Sequence, residues 1–221
     1  MSKRVLIIGG EGNGGVISSC VEDMRRHHNN NEFEIVGFLN DFVSDNELIH
    51  GFPVLGKTSD VRRFIEQDYY FMYAIHMIGH GKMRRELFFK LNIPEERLVT
   101  IVHPHAFVSH NVELAPGVFV MANCYIGPGT KIGKCTLVMA NCVIGHNDNI
   151  GGFCHFSAGS ITSSYVTTGE ASDVCLAASV IEKVTIGNYS VVGANSLLTK
   201  SIGDSEIWLG SPAKLHRKIE D

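Results

Sequence analysis

No run of apolar residues in this chain approaches the roughly 20 needed to cross a bilayer, so a membrane-inserted protein is not expected. Basic charge is scarce as well. Nineteen lysines and arginines against 23 acidic residues leave a net charge of −4, without the dense positive patch of a nucleic-acid binder. The six cysteines form no CxxC pair and no zinc-type quartet, which excludes the usual redox and structural-metal motifs. They read as small buried thiols. The opening MSKRVLIIGGEG is basic but runs at once into glycine. It has neither the longer apolar core nor the small-residue cleavage site of a secretion signal, which points to the cytoplasm. What remains is ordinary for a soluble globular protein, 44% hydrophobic and 19% charged over 221 residues, long enough to bury a real core.

The chain divides into two halves of different period. Val5 to Ile8 is a short β-branched apolar run followed by the glycine-rich GGEGNGG, after which Val16, Ile17, Cys20, Val21 and Met24 recur at helical spacing. FEIVGFL (33–39) reads as a second strand ending in Asn40 and Asp41, and SDVRRFIEQ as a helix with Ser59 at its N-cap. Residues 69–77 read as a third strand, 82–91 as a third helix and 98–102 as a fourth strand. Such alternation predicts a small parallel, Rossmann-like sheet over residues 1–102.

Beyond residue 102 a period of six replaces the helical one. Val108, Leu114, Val120, Ile126, Ile132, Val138, Ile144, Ile150, Phe156, Thr162, Thr168, Val174, Val180, Ile186, Val192 and Leu198 stand six apart, and all but the two threonines are apolar. Two residues before each lies a mostly small column that includes Cys124, Cys142, Ser160, Ala178 and Ser196. This is a hexapeptide repeat, the pattern of a parallel β-helix in which about three repeats close one triangular coil and positions 18 apart stack. The aliphatics point inward, and the small column lets the chain turn, which accounts for three of the cysteines, Cys124, Cys142 and Cys154, without chemistry. The period runs unbroken, so no inserted loop is expected to leave the solenoid over residues 103–208. Cover for a substrate must then come from the N-terminal domain or a neighbouring subunit.

Two histidines stand out in VIGHNDNIGGFCHF (143–156): His146 and His155. His146 follows Ile144 by two residues, where a coil turns and a side chain can face a neighbouring subunit. It reads either as a solvated turn residue or as a general base, a task suited to a neutral imidazole near pH 7. A metal site fits poorly, because the two histidines are half a coil apart on different faces and no third ligand is apparent. Gly10, Gly12 and Gly15 satisfy GxGxxG with Asp41 at a suitable distance, which alone would read as a dinucleotide fingerprint. The domain is short for a full NAD fold.

With these pieces in order, the chain resembles the bacterial nucleotide-amino-sugar N-acetyltransferases and sialic-acid O-acetyltransferases. GGEGNGG (9–15), GFLNDF (37–42), GFPVLG (51–56), IGHGKMRREL (78–87), IVHPHAFVS (101–109), HNDNIGGFCHFSAG (146–159) and GSPAK (210–214) carry the resemblance along essentially the whole chain. It implies that the β-helix is left-handed, an exception to the usual crossover hand, and that the protein is a homotrimer using acetyl-CoA, with sites in clefts between subunits. It further implies that His146 is the general base. The adjacent residue, acidic in several relatives, is Asn147, which can orient an imidazole; Asp148 is the other candidate. His155 matches a second family histidine lining the acetyl-CoA and substrate cleft. Gly12, Asn13 and Gly14 would hold the sugar nucleotide's diphosphate or sugar on backbone amides. Asn40 and Asp41 would meet the base, and Gly79 the substrate. Leu176, Ala177 and Ala194 would border the pantetheine arm, and Lys214, Arg217 and Lys218 in the 209–221 tail would meet CoA phosphates. No metal is implied.

The expected activity is direct acetyl transfer to the amine of a nucleotide-linked 4-amino-4,6-dideoxy sugar made for surface glycans. No serine or cysteine stands as a nucleophile beside His146, so no acyl-enzyme is expected. O-acetylation of sialic acid or a related hydroxyl stays open, as does a non-catalytic nucleotide-binding scaffold.

Overall fold

The computed structural model describes residues 2–220. Its N-terminal part is a five-stranded sheet in the order β3-β4-β2-β1-β5. The strands are β1 (Lys3–Ile8), β2 (Phe33–Leu39), β3 (Leu48–Ile49), β4 (Phe52–Gly56) and β5 (Tyr70–Tyr73), and the helices are α1 (Asn13–His27), α2 (Val61–Glu66) and α3 (Gly81–Leu91). β1, β2, β4 and β5 run parallel, and β3 pairs antiparallel with β4. Helices pack on both faces of this sheet. Ile17, Val21 and Met24 of α1 join Val5 and Ile7 in one apolar cluster, and Val61, Phe64 and Phe88 of α2 and α3 join Leu6 and Ile8 in another.

Four details differ from the sequence expectation. The sheet gains β3 and β4 as an antiparallel hairpin over residues 48–56, where no strand was expected. The third strand ends at Tyr73 rather than Met77, because the chain turns onto the solenoid at His76. Ser59 lies within a 3₁₀ turn, Thr58–Asp60, and Asp60 rather than Ser59 precedes α2. The expected fourth strand is divided: Leu98 makes a single bridge to Phe71, whereas Ile101–Val102 pairs with Phe119–Val120.

That last pairing starts a left-handed parallel β-helix. Each two-residue strand pairs with its equivalent 18 residues on, as Tyr125 with Val143 and Leu137 with His155. The inward column is buried from Val120 to Leu198, each such side chain contributing roughly 1.5–3 kcal/mol. Cys124, Cys142, Ser160, Ala178 and Ser196 form the buried inward ladder beside it. The Sγ of Cys142 donates to the Ser157 carbonyl at 3.1 Å. The solenoid has three faces. The first carries Phe107, Tyr125, Val143 and Ile161 outward, the second Glu113, Lys131 and Asn149, and the third Phe119, Leu137, His155, Asp173 and Val191.

Close approach at the corners dictates glycine. A Cβ on Gly145 would lie 1.0 Å from the Ser163 carbonyl oxygen. The corner tips adopt left-handed φ, as at Asn123 (61°), Asn141 (61°), Asn147 (58°) and Ala177 (52°). At the C-terminal end the last coil shortens, with Ile207–Trp208 pairing on Val191–Val192 and Lys214–Lys218 folding back antiparallel. Trp208 closes the core there, as end caps do in repeat proteins.

Candidate active site

The third face is where the two halves meet. Its outward residues are buried under the N-terminal domain, which explains how charged Asp173 and polar His155 come to be 1% and 6% exposed. Arg84 of α3, 2% exposed, reaches across. Its Nη2 donates to Asp173 Oδ1 at 2.7 Å, to the Ala171 carbonyl at 2.8 Å and to the Phe153 carbonyl at 3.0 Å. The segment between β5 and α3 closes over the same carboxylate, the Gly79 N–H donating to Asp173 Oδ2 at 3.0 Å and His76 Nε2 to Oδ1 at 3.1 Å. His76 then lies flat on His155, ring centroids 3.8 Å apart and planes within 17°.

Burial alone would raise the Asp173 pKa, but the His76 hydrogen bond and the Arg84 charge more than reverse this and bring it to about 2. Burial, aided by His76, lowers His155 to about 3, so that ring is neutral. Its Nδ1 meets Ser157 Oγ at 3.2 Å, and its Nε2 is buried without a partner among the described residues.

Two cavities flank Asn13, the first residue of α1, along the edge where the third and first faces join. One, of about 700 Å³, is bordered by His76, Gly79, His155, Leu176 and Ala194, with Leu209 and Arg217 of the C-terminal hairpin. The other, of about 1030 Å³, is bordered by Gly12, His28, His50, His103 and His105. Asn13 borders both, and its Nδ2 is buried without a partner among the described residues.

Ligand-type atoms of Asp23, His28 and His103 lie within 4.8 Å of one another at the second cavity. The hydrogen bonds there read as an orienting network rather than a metal cradle. The His105 N–H donates to His103 Nδ1 at 3.1 Å, so His103 Nε2 carries the proton and donates to Asp23 at 2.9 Å. A ligating Nε2 needs the opposite tautomer.

The other expected site residues divide. Gly12 is open, with nothing within 4 Å of a Cβ, whereas Gly14 packs on Phe38. Asn40 is buried, its Nδ2 donating to the Gly9 carbonyl at 2.8 Å and its Oδ1 accepting from the Phe42 and Val43 N–H groups. Asp41 accepts from the Thr58 N–H and hydroxyl. Both act here as turn-formers and border neither cavity. Ala177 is an exposed corner tip beside Leu176, and Lys214 is exposed on the last strand, where Arg217 rather than Lys214 faces the cavity.

His146 is exposed at the corner between the first and second faces, its ring 5.2 Å from that of Tyr165. Asn147 beside it is the left-handed tip of the corner. Asp148 points inward, accepting from Thr162 Oγ1 at 2.6 Å and the Val166 N–H at 2.8 Å, and burial raises its pKa. Neither residue hydrogen-bonds His146. Thus one chain brings His155 together with Asn13, Gly79, Leu176 and Ala194, and leaves His146 at another corner. Sequence reasoning missed His76, Asp173 and Arg84. The single signal was a charged residue in the outward position of a strand otherwise covered by apolar side chains.

Residues 4–91 match the PglD N-terminal domain family and residues 111–146 the bacterial transferase hexapeptide (six repeats) family. Perosamine N-acetyltransferase from Caulobacter crescentus, solved with CoA and GDP-perosamine as a single-histidine variant, is 28% identical, with a TM-score of 0.82 covering 97% of both chains. The acetyltransferase domain of PglB from Neisseria gonorrhoeae, solved with acetyl coenzyme A, is 24% identical with a TM-score of 0.83 over 97% of this chain and 100% of that one, a likeness of fold. Curated relatives from Staphylococcus aureus, provisionally named acetyltransferases, are 35% identical over 113 residues, half of this chain; the chain spans 57% of their length.

Proposed function

We propose that this chain, which belongs to the hexapeptide-repeat transferases carrying a PglD-type N-terminal domain, is an acetyl-CoA-dependent N-acetyltransferase. Its acceptor is the amine of a nucleotide-linked 4-amino-4,6-dideoxy sugar of the kind built into surface glycans. The observation that carries this reading is the full-length likeness to an enzyme held with CoA and GDP-perosamine. The cavities support it. The glycine-rich turn and the N-terminus of α1 border the larger one, the chemistry that suits a diphosphate. The smaller one runs past Leu176 and Ala194, an apolar channel for a pantetheine arm. Asn13, common to both, marks where amine and thioester meet.

His146 is the general base and takes the proton as nitrogen attacks the thioester carbon. The C–N bond forms, the C–S bond breaks, and the thiolate leaves; a backbone N–H of the solenoid holds the developing oxyanion. Since His146 and the smaller cavity sit at different corners of one prism, the base comes from a neighbouring copy. A closed trimer, the assembly the family resemblance implies, would supply that copy at every site. The first face offers a surface for it, with Phe107 and Tyr125 stacked 5.2 Å apart and Phe107, Tyr125 and Ile161 exposed.

The test is release of free thiol from acetyl-CoA against UDP-, dTDP- and GDP-linked 4-amino sugars. Turnover with one nucleotide sugar supports the reading. Silence across the panel, with turnover on sialic acid or another hydroxyl sugar, replaces it with O-acetylation, and silence on both leaves nucleotide binding alone.

A further inference from the structure

We propose that His76 is a contact for the acceptor sugar, with Asp173 and Arg84 as positioning residues behind it; the inference rests on the N-acetyltransferase reading. Asp173 is ion-paired with Arg84 at 2.7 Å and is therefore an acceptor only. The proton between His76 Nε2 and Asp173 Oδ1, 3.1 Å apart, thus sits on the histidine. In the neutral form of the ring, Nδ1 is then a bare lone pair. A turn of the ring would break the bond to Asp173 and disturb the stack on His155, 3.8 Å away, so the tautomer is fixed from behind.

His76 borders the 700 Å³ cavity, and Nδ1 has no hydrogen-bond partner among the described residues. With the ring neutral, we infer that His76 offers an occupant of this cavity an acceptor-only nitrogen. The reacting end of a thioester carries a carbonyl oxygen and a sulfur, both acceptors, and has nothing to donate to it. The amine and hydroxyls of an amino sugar do. An amine N–H donated to His76 also directs the nitrogen lone pair away from this wall, toward the acyl carbon, while the second proton remains for His146.

Two variants separate this from a space-filling role. His76→Gln keeps a donor toward Asp173 and lacks the Nδ1 acceptor; His76→Asn restores an acceptor near Nδ1. For an active wild type, His76→Gln is expected to lower kcat/KM for the sugar about 10- to 100-fold, the range of one lost hydrogen bond in a binding site. KM for acetyl-CoA and the melting temperature stay unchanged, and His76→Asn recovers part of the loss. Undiminished kcat/KM in His76→Gln, or an equal rise in KM for acetyl-CoA, overturns the proposal.

A readout independent of turnover is the ¹⁵N spectrum of the His76 imidazole in the wild-type protein. An Nε2–H tautomer whose Nδ1 resonance moves on addition of a nucleotide-linked 4-amino sugar, and not of CoA alone, supports it. The other tautomer, no movement with the sugar, or movement with CoA alone, overturns it. Wild-type protein that shows the sugar-induced shift yet releases no thiol would count against the transferase reading and not against His76.

Discussion

His146 and His155 are nine residues apart and live in opposite environments, so their substitutions have different signatures. His146 is exposed and makes only an aromatic edge contact with Tyr165, so its removal leaves the fold intact. His146→Ala is expected to lower kcat by about 10²–10⁴-fold, the usual contribution of a positioned base, with little change in melting temperature; steady-state kinetics beside calorimetry checks both. His155 acts on stability. Its pKa is about 3 in the folded chain against an ordinary 6.5, so between those values the unfolded chain binds a proton that the folded one refuses. Stability therefore falls as pH drops through that window, by up to about 1.4 kcal/mol per pH unit for one proton. Asp173, about 2 when folded against 3.8, adds a loss in the same direction below pH 3.8. Urea titrations of His155→Gln between pH 7 and 4 should give a shallower slope than the wild type by up to one proton, and an unchanged slope would refute the assignment.

At the level of elements, the solenoid corner and the domain contact differ in what holds them. Arg84 satisfies three carbonyls and the Asp173 carboxylate at once. Truncating one partner of such a buried pair costs about 3–5 kcal/mol, because the other charge is stranded. Arg84→Ala is expected to lose that much in denaturant unfolding, whereas Arg85→Ala, whose ion pair with Glu170 is partly exposed, loses no more than about 1 kcal/mol. The hexad was legible in the sequence because burial in a solenoid repeats locally, each aliphatic being covered by its equivalent 18 residues on. Of the N-terminal sheet, β1, β2 and β5 were legible, but not the hairpin of β3 and β4 nor the 98–102 segment. An apolar run there satisfies either sheet equally, and the solenoid claimed Ile101 and Val102. Asn147 and Ala177 looked functional by neighbourhood, yet both occupy the left-handed corner position, which Asn tolerates better than most residues. The Arg84–Asp173–His76 cluster was illegible for a different reason. Its members are joined across as many as 97 residues, and only the docking of one domain on the other turns a stray aspartate into the anchor of a histidine.

On the scale of the whole molecule, the decisive feature is that His146, the proposed base, and the cavity bordered by His155 and Ala194 occupy different corners of one prism. On the proposed reading, a monomer of this shape has no base within reach of its own cavity. The exposed apolar ladder of Phe107, Tyr125 and Ile161 is the surface proposed to receive the copy that completes the site. On the proposed reading, activity is a property of pairs of chains, and pairs can be mixed. Two inactive variants serve: His146→Ala, which removes the base, and Ala194→Trp, which fills the cavity bordered by Ala194 with a bulky ring. Unfolded and refolded together in equal amounts, they assemble at random. A site is complete only when an Ala194→Trp chain supplies His146 to a His146→Ala chain, which under closed three-fold symmetry occurs at about one site in four. Recovery to roughly that fraction of wild-type turnover is expected, measured as thiol release. A mixture as silent as its parents, while each parent still sediments as a trimer, would place base and cavity in the same chain and require a different histidine.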